Sequence, residues 1–221
     1  MKKLLLAGIA SLMSLSAQAA VIDSSTVLTL GDLTFSNFTC TGNTSGGGAG
    51  GGCSGLSVNT FGSGIEISGG LSALTLPGGT ASTQDILVSY QVTASTTAFG
   101  TIGLGFNGTF EGNSFAEVRE TVYADAARQL LLDSGLVRVS ALSQTLNDVL
   151  TFNPVFTAYV VKDILLQSLP PGGLATISSI TQVYNGGGPV PVPEPASMAI
   201  LGMGLLGLGA ARKLSARNKT A

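Results

Sequence analysis

The stretch that decides the fold is residues 84–94, Q-D-I-L-V-S-Y-Q-V-T-A. Its alternate apolar positions are Ile86, Val88, Tyr90 and Val92. Polar residues occupy most of the positions between them, so an extended chain would present one apolar side and one polar side. This period of two predicts a half-buried antiparallel strand.

Similar short apolar runs recur on both sides of this stretch, separated by Gly, Ser and Thr. Such spacing is typical of strands joined by turns. The predicted strands are residues 26–30, 33–38, 57–61, 65–68, 71–76, 115–123, 136–142, 155–166 and 173–184, with a turn at Gly31-Asp32. The sequence therefore predicts an all-β fold, a β-sandwich of about 8–10 antiparallel strands, Ig-like or jelly-roll-like.

A further hairpin is expected at Asn107-Gly108, a dipeptide that favours tight turns. A two-residue turn would set apolar residues opposite polar ones. A three-residue loop with a glycine bulge pairs Phe106 with Phe110 instead, and we favour this register for its aromatic cross-strand pair.

Two other segments deviate from simple strand patterns. Residues 125–132 continue an apolar spacing that also fits a helical turn. Lys162-Asp163 interrupts the otherwise apolar segment 155–166. We expect these two charged residues on opposite faces, near a rim of the sheet.

The central part of the chain, residues 20–188, is acidic. It has four basic and eleven acidic residues, a net charge of −7, although the whole chain has −2. Such a surface repels phosphate backbones, so we expect no nucleic-acid partner. The chain also has no histidine, which excludes Ser-His and Cys-His catalysis and imidazole zinc sites. We expect no catalytic residues and no metal centre.

The N-terminal residues 1–19 have the features of a signal peptide. Met1-Lys2-Lys3 is a positive start, residues 4–15 are apolar, and Ala17-Gln18-Ala19 is a small-x-small cleavage site. The apolar run is shorter than the roughly 20 residues that span a bilayer. We therefore expect an exported domain at residues 20–184.

The C-terminal residues form a second signal. A Gly/Pro linker at 185–192 precedes Pro193, Glu194 and Pro195, and an apolar segment at 196–211 is predicted as a transmembrane helix. At about 24 Å it is short for a hydrocarbon core of about 30 Å. The tail at 212–221 carries the basic residues Arg212, Lys213, Arg217 and Lys219. A basic tail behind a cleaved signal is expected on the cytoplasmic side of the inner membrane.

This segment, V-P-E-P-A-S-M-A-I-L-G-M-G-L-L-G-L-G-A-A-R-K, resembles the PEP-CTERM sorting signal of Gram-negative bacteria that make exopolysaccharide. The resemblance implies that an exosortase, a membrane transpeptidase or protease, recognises Pro193, Glu194 and Pro195. In that scheme the protein is the substrate, held briefly in the inner membrane and then released or attached at the cell surface. The resemblance covers residues 193–221 and implies no activity for the preceding domain.

Cys40 and Cys53 are the two cysteines of the chain and enclose a glycine-rich loop. In an exported protein they are expected to form a disulfide. Closing a loop of this size contributes roughly 3 kcal/mol in the chain-entropy model. A metal or redox site is the alternative, but further ligands and the C-x-x-C spacing are both missing.

Two pairs of carboxylates are candidates for glycoside hydrolysis or calcium binding: Glu117 with Glu120, and Asp23 with Asp32. Linear spacing does not place carboxylates across a cleft, so solvated acids are the favoured interpretation. No cofactor is expected, with calcium on a loop of the sandwich left open because oxygen ligands are abundant.

Three functions remain open for the domain. The favoured one is a non-catalytic protein of the cell surface or the extracellular biofilm matrix. The alternative is a carbohydrate-binding module for secreted exopolysaccharide, with stacking residues among Tyr90, Tyr123, Tyr159 and Tyr184. A surface hydrolase is the least favoured, because it needs carboxylates that converge in a cleft.

Overall fold

The computed structural model describes residues 19–46 and 49–185. In chain order the strands are β1 Ala20–Val21, β2 Leu28–Leu30, β3 Leu33–Ser45, β4 Ala49–Gly50, β5 Ser57–Phe61, β6 Gly64–Thr75, β7 Ser82–Ala94, β8 Phe99–Tyr123, β9 Leu131–Ser140, β10 Ser143–Thr145, β11 Asn147–Val155 and β12 Thr157–Asn185. Within these residues the one helical element is a 3₁₀ turn at Cys53–Gly55.

Strands β8 and β12 run side by side through the middle of one antiparallel sheet. The first half of β12 also pairs with β7, and its second half pairs with β6. On the other side, β9 pairs with the second half of β8 and β11 with its first half. Every remaining strand adds to one of these two halves, so β8 and β12 hold the domain together.

Both long strands change register at the same place. Residues 169–172 of β12 lie opposite the single residue Asn113 of β8, whose Nδ2 donates to the Pro170 carbonyl at 2.9 Å. Pro170 and Pro171 have no N–H for the ladder. Gly112 has φ +64°, a conformation that favours glycine. The interruption divides the sheet into two halves.

The two halves curl towards each other around a single core. Tyr184 from the second half of β12 meets Phe35 of β3 edge-on, with ring centroids 5.3 Å apart. It also meets Phe99 of β8 at 5.5 Å. Such edge-to-face contacts are favourable for aromatic pairs, and the contact with Phe35 joins the two halves of the sheet.

The predicted all-β, antiparallel class is confirmed. The strands form one curled sheet rather than separately hydrogen-bonded sheets, because β8 and β12 continue from one half into the other. For the same reason, the predicted strands 155–166, from residue 157 onward, and 173–184 are parts of the single strand β12. The predicted strands 65–68 and 71–76 likewise merge into β6.

The opening stretch is confirmed as a strand, since residues 84–94 lie within β7. Ile86, Val88 and Val92 are completely buried, as the alternation predicted. The turn at Gly31-Asp32 is also confirmed, because it joins Leu30 of β2 directly to its partner Leu33 of β3.

The predicted hairpin at Asn107-Gly108 is wrong. Both residues lie inside β8 and pair with β12, so Phe106 and Phe110 belong to one strand and are not cross-strand partners. Gly108 is required for a steric reason instead, because a Cβ there would lie 2.4 Å from the ring of Phe106. The glycine makes room for an aromatic ring, and the extra residue Ser178 in β12 forms a bulge at this point.

The helical turn expected at residues 125–132 is also wrong. Asp125 accepts hydrogen bonds from the amides of Gln129 at 3.0 Å and Leu130 at 2.7 Å. Arg128 has φ +57°, which ends any helical run. A side-chain-stabilised loop therefore joins β8 to β9.

The chain divides into two units, Met1–Gly188 and Pro189–Ala221. The predicted signal peptide, all but the first residue of the linker and the sorting signal lie outside the described residues. The domain bounds therefore stay a prediction. In the portion that the structure describes, no helix has the length and apolar character needed to cross a membrane.

Candidate functional site

The predicted disulfide between Cys40 and Cys53 is confirmed, with the two Cα atoms 5.7 Å apart. Cys40 lies on β3, and Cys53 begins the 3₁₀ turn. Both cysteines pack against the core. The bond ties the glycine-rich segment between them to the body of the domain, and no chemistry beyond this is indicated.

Two of the four candidate stacking tyrosines are inaccessible. Tyr90 and Tyr184 are 2% and 3% exposed, and their hydroxyl groups are hydrogen-bonded to each other at 2.8 Å. The prediction that they bind sugars is therefore wrong. Tyr90 has the strand parity of the buried residues Val88 and Val92, and Tyr184 has the parity of the buried Ile180, so both rings lie inside.

The other two tyrosines form a cross-strand pair on the outer face. Tyr159 of β12 lies directly opposite Tyr123 of β8 and, on its other side, Gln91 of β7. Ala158 and Val160 are completely buried, so Tyr159 between them points away from the core. We call Tyr123, Tyr159 and Gln91 the tyrosine row. Both rings are partly exposed.

Hydrogen-bonding side chains border the tyrosine row. Gln91 accepts from Nδ2 of Asn37 at 2.9 Å and donates to Thr93 at 3.1 Å. Ser89 lies two residues from Gln91 on the same face of β7, and its hydroxyl accepts a hydrogen bond from Arg128 at 2.8 Å. Aromatic faces beside fixed donors and acceptors are what a polyhydroxylated ligand requires.

Two acids lie further along the same outer face. Asp85 and Asp163 line a shallow cavity of about 400 Å³ together with Asn43. Partial burial and then the charge of Asp85 raise the pKa of Asp163, against the effect of Arg119. Among the described residues no group of three His, Cys, Asp or Glu side chains could hold a metal ion. Calcium binding stays an untested prediction.

The prediction that Lys162 lies near a rim of the sheet is wrong. Lys162 on β12 is completely buried, as is its direct cross-strand partner Glu120 on β8. Its Nζ donates to Oε2 of Glu120. Asp163 does point to the opposite face, as predicted, because successive residues of a strand alternate.

Burial governs the protonation of this pair. It raises the pKa of Glu120, an effect that the charge of Asp148 reinforces and the attraction of Lys162 opposes. It lowers the pKa of Lys162, with Glu120 opposing. Both shifts favour the uncharged form, since an apolar interior disfavours each charge.

A chain of polar groups continues from the pair through the core. Gln182 of β12 is completely buried, and its Oε1 accepts from the hydroxyl of Tyr184 at 3.2 Å. Its side chain is near enough to stabilise the carboxylate of Glu120. Within the described residues, however, Oε1 of Glu120 and Nε2 of Gln182 complete no hydrogen bond. Each therefore has free hydrogen-bonding capacity inside the core.

Sequence reasoning overlooked this buried cluster, although a signal was present. Lys162 has the strand parity of Val160 and Ile164, and Glu120 has the parity of Val118. Period two alone would have placed both charges on the core face. Charged residues are seldom buried unless paired, and the partner lies 42 residues away in the chain, so the local pattern does not identify the pair.

Glu117 and Glu120 do not converge. Glu117 points outward and pairs with Arg138 at 3.2 Å, whereas Glu120 points into the core, so the two do not face each other across a cleft. Asp23 accepts from Ser25 in its own turn, and Asp32 accepts from the hydroxyl of Thr96.

The predicted sorting residues lie outside the described part of the chain. They are Pro193, Glu194, Pro195, Arg212, Lys213, Arg217 and Lys219. Residues 191–213 match the PEP-CTERM protein-sorting motif, a match that includes the first five of these residues. The chain carries this signal at its C-terminus, consistent with a substrate of exosortase.

No curated protein matches the chain in sequence. Among solved structures, it is similar to TmCBM61 in complex with β-1,4-galactotriose, with a TM-score of 0.34 and 11% identity over 67% of this chain and 88% of that chain. It is also similar to the Glycosylation Associate Protein (Gap123) complex from Streptococcus agalactiae, with a TM-score of 0.32 and 12% identity over 58% and 22% of the two chains.

A third similar structure is xylanase 10C from Cellvibrio japonicus in complex with xylopentaose. Its TM-score is 0.29, with 18% identity over 65% of this chain and 26% of that chain. The chain thus spans about a quarter or less of the length of the last two structures. At these TM-scores the similarities carry no argument about function.

Proposed function

We propose that this protein is an exported, non-catalytic component of the cell surface or the extracellular biofilm matrix. In this proposal a signal peptide directs export, the C-terminal helix anchors the chain briefly in the inner membrane, and exosortase then removes the sorting signal. The match of residues 191–213 to the sorting motif is the observation that carries it. The separation of Glu117 from Glu120 on opposite faces of β8 supports a non-catalytic domain.

The domain suits such a role. One curled sheet packs around a continuous core, and a disulfide fastens its glycine-rich loop. Facing halves of this kind are consistent with the sandwich architecture expected from the sequence, Ig-like or jelly-roll-like, which we retain as part of the proposal.

Processing can be tested by intact-mass measurement of the surface protein. We expect the mature chain to lack the residues that follow Pro195. Glu194→Ala should block recognition, so that the full-length chain accumulates in the inner membrane. Glu111→Ala, which removes an exposed glutamate of the domain, is the matched control and should be processed normally. Residues 198–221 still attached to the wild-type surface protein would refute the proposal.

A second candidate function is binding of secreted exopolysaccharide by the tyrosine row. The observation that favours it is the cross-strand placement of Tyr123 and Tyr159 on the outer face, beside Gln91. Aromatic rings supply large contact areas with few rotatable bonds, and the neighbouring amides and hydroxyls could fix the orientation of a sugar. A surface hydrolase stays the least favoured reading.

Polysaccharide binding can be tested by a pull-down on purified exopolysaccharide, with and without calcium. We expect Tyr159→Ala to weaken binding roughly tenfold, which corresponds to about 1.4 kcal/mol. Phe61→Ala removes an exposed aromatic ring of β5 and should leave binding unchanged. Wild-type protein that binds under neither condition, or equal loss in both variants, would eliminate this function.

A further inference from the structure

The buried pair of Lys162 and Glu120 is not used by either proposed function. The two residues lie directly opposite each other on β12 and β8, and neither side chain has any exposure to solvent. Nζ of Lys162 contacts Oε2 of Glu120, while Oε1 has no partner among the described residues. An amine and a carboxyl group are thus in contact in the buried core, a geometry that can undergo bond formation as well as ion pairing.

We propose that Lys162 and Glu120 condense after folding to form an intramolecular amide cross-link between β12 and β8. The reaction joins Nζ of Lys162 to Cδ of Glu120 and releases one molecule of water. It needs no oxidant, reductant or other co-reactant. It also does not depend on the sorting or the binding function proposed above.

The step begins with the neutral acid and the neutral amine. The lone pair of Nζ attacks Cδ, and the π electrons of the C=O bond move onto the carbonyl oxygen to give a tetrahedral intermediate. The second oxygen takes one proton from the nitrogen and leaves with it as water when its bond to Cδ breaks. A primary amine and a carboxylic acid have then become a secondary amide and water, and both atoms and charge balance.

The environment prepares both reactants. Burial raises the pKa of Glu120 and lowers the pKa of Lys162, so the core favours the uncharged acid and the nucleophilic amine. Positioning contributes separately, because well-oriented groups react as if at very high concentration. The cross-strand register supplies that orientation as soon as β8 and β12 have paired.

Gln182 is placed to stabilise the intermediate. Its Oε1 is held by the hydroxyl of Tyr184, and that hydroxyl is also bonded to Tyr90. Its Nε2 has no partner within the described residues, and the side chain lies near enough to Glu120 to lower the pKa of that carboxyl group against the effect of burial. A fixed N–H donor beside the carboxyl group can accept the negative charge that develops on oxygen.

The cross-link would connect the two strands that hold the domain together. Every other described strand is attached to one half of the sheet, whereas β8 and β12 continue through both halves. A covalent bond between β8 and β12 keeps the two strands joined under conditions that would break an ion pair by exchanging its partners or protonating its carboxylate. That property suits a protein exposed outside the cell.

The decisive test is the intact mass of the wild-type protein after reduction of its disulfide. We expect a mass lower than that of the linear chain by one water molecule. Trypsin should fail to cut after Lys162, and peptide 120–128 should be recovered joined to the peptide that contains Lys162. A mass equal to that of the linear chain, with free peptide 120–128 and cleavage after Lys162, would overturn the proposal.

Lys162→Met is the matched control, since it keeps the apolar stem but has no amine, and its mass should equal that of the linear chain. Gln182→Met tests the stabilising amide, because it keeps side-chain length without an N–H donor. In this variant the water-loss product should accumulate more slowly after synthesis, at an unchanged circular-dichroism spectrum. Equal rates in Gln182→Met and wild type would exclude Gln182 from the mechanism.

Discussion

Two of the glutamates of strand β8 lie three residues apart, and each pairs with a basic side chain on a neighbouring strand. Glu120 meets Lys162 of β12 in the core, where neither side chain is exposed. Glu117 meets Arg138 of β9 on the outer face, where the two side chains are 16% and 38% exposed. The two pairs consist of similar residue types, but Glu117 and Glu120 have opposite strand parity and so point to opposite faces of the sheet.

The difference shows how strongly surroundings change the role of one kind of pair. An exposed ion pair is screened by water and contributes about 0–1 kcal/mol to stability. Inside a core, desolvation shifts both groups towards their neutral forms, and loss of one partner leaves the other without compensation. A pair that is a minor surface contact on one face is therefore a structural and chemical centre on the other.

The largest effect is expected from Lys162→Met. This substitution prevents the proposed cross-link and leaves Glu120 buried without its partner, and breaking a buried pair alone destabilises proteins by about 3–5 kcal/mol. Unfolding in urea should show a correspondingly lower free energy of unfolding. Adding Glu120→Leu should restore part of the loss because no buried carboxyl group is left. A double variant no more stable than the single one would contradict this explanation.

A much smaller effect is expected from Arg138→Met on the outer face. The variant loses the exposed bond to Glu117 and the contact of the guanidinium with the Phe115 ring, whose centroid is 4.3 Å away. Together these are worth about 1 kcal/mol. The same urea titration measures it, and added salt should reduce the difference from wild type. A loss of unfolding free energy as large as that of Lys162→Met would contradict the difference expected between the exposed and the buried pair.

The smallest effect is expected from Asp32→Asn, and it should depend on pH. The hydroxyl of Thr96, at 2.9 Å, and the amide of Thr97, at 3.1 Å, lower the pKa of Asp32 below 3.8. Because the folded pKa lies below the unfolded one, the stabilisation is present above pH 3.8 and is lost as pH falls through the folded pKa. Glu120 has a raised pKa, so as a free carboxyl group its contribution to stability would change with pH in the opposite direction.

Thermal unfolding of wild type and Asp32→Asn between pH 7 and pH 2 measures this effect. The variant should be slightly less stable at neutral pH, and the difference should disappear in acid. A difference that grows on acidification would contradict the assigned sign.

Local patterns predicted much of the fold and little of the interior chemistry. Residues 84–94 and the Gly31-Asp32 turn were predictable because alternation and turn preference act over a few residues. Asn107-Gly108 misled the prediction because glycine has two uses, positive φ in a turn and clearance for a neighbouring ring. Phe106 lies two residues away, yet its ring position is set by packing in the folded domain.

The candidate sites divide in the same way. The disulfide of Cys40 and Cys53 was predictable, because an exported chain with two cysteines has one pairing. The four tyrosines were only partly separable: the alternation already puts Tyr90 on the apolar side of its strand, but only the sheet register puts Tyr123 beside Tyr159. Tyr90 and Tyr184 are 94 residues apart in the chain, and no local sequence pattern predicts their hydrogen bond.

The amino-acid sequence by itself determined the all-β class, the disulfide and the C-terminal sorting motif. These depend on periodicity, composition and short contiguous motifs, which are complete within the chain. Only the tertiary structure decided which charges and rings are enclosed and which partners they meet. The physical reason is that burial and long-range strand register arise when distant segments pack, as when β8 and β12 bring Glu120 to Lys162.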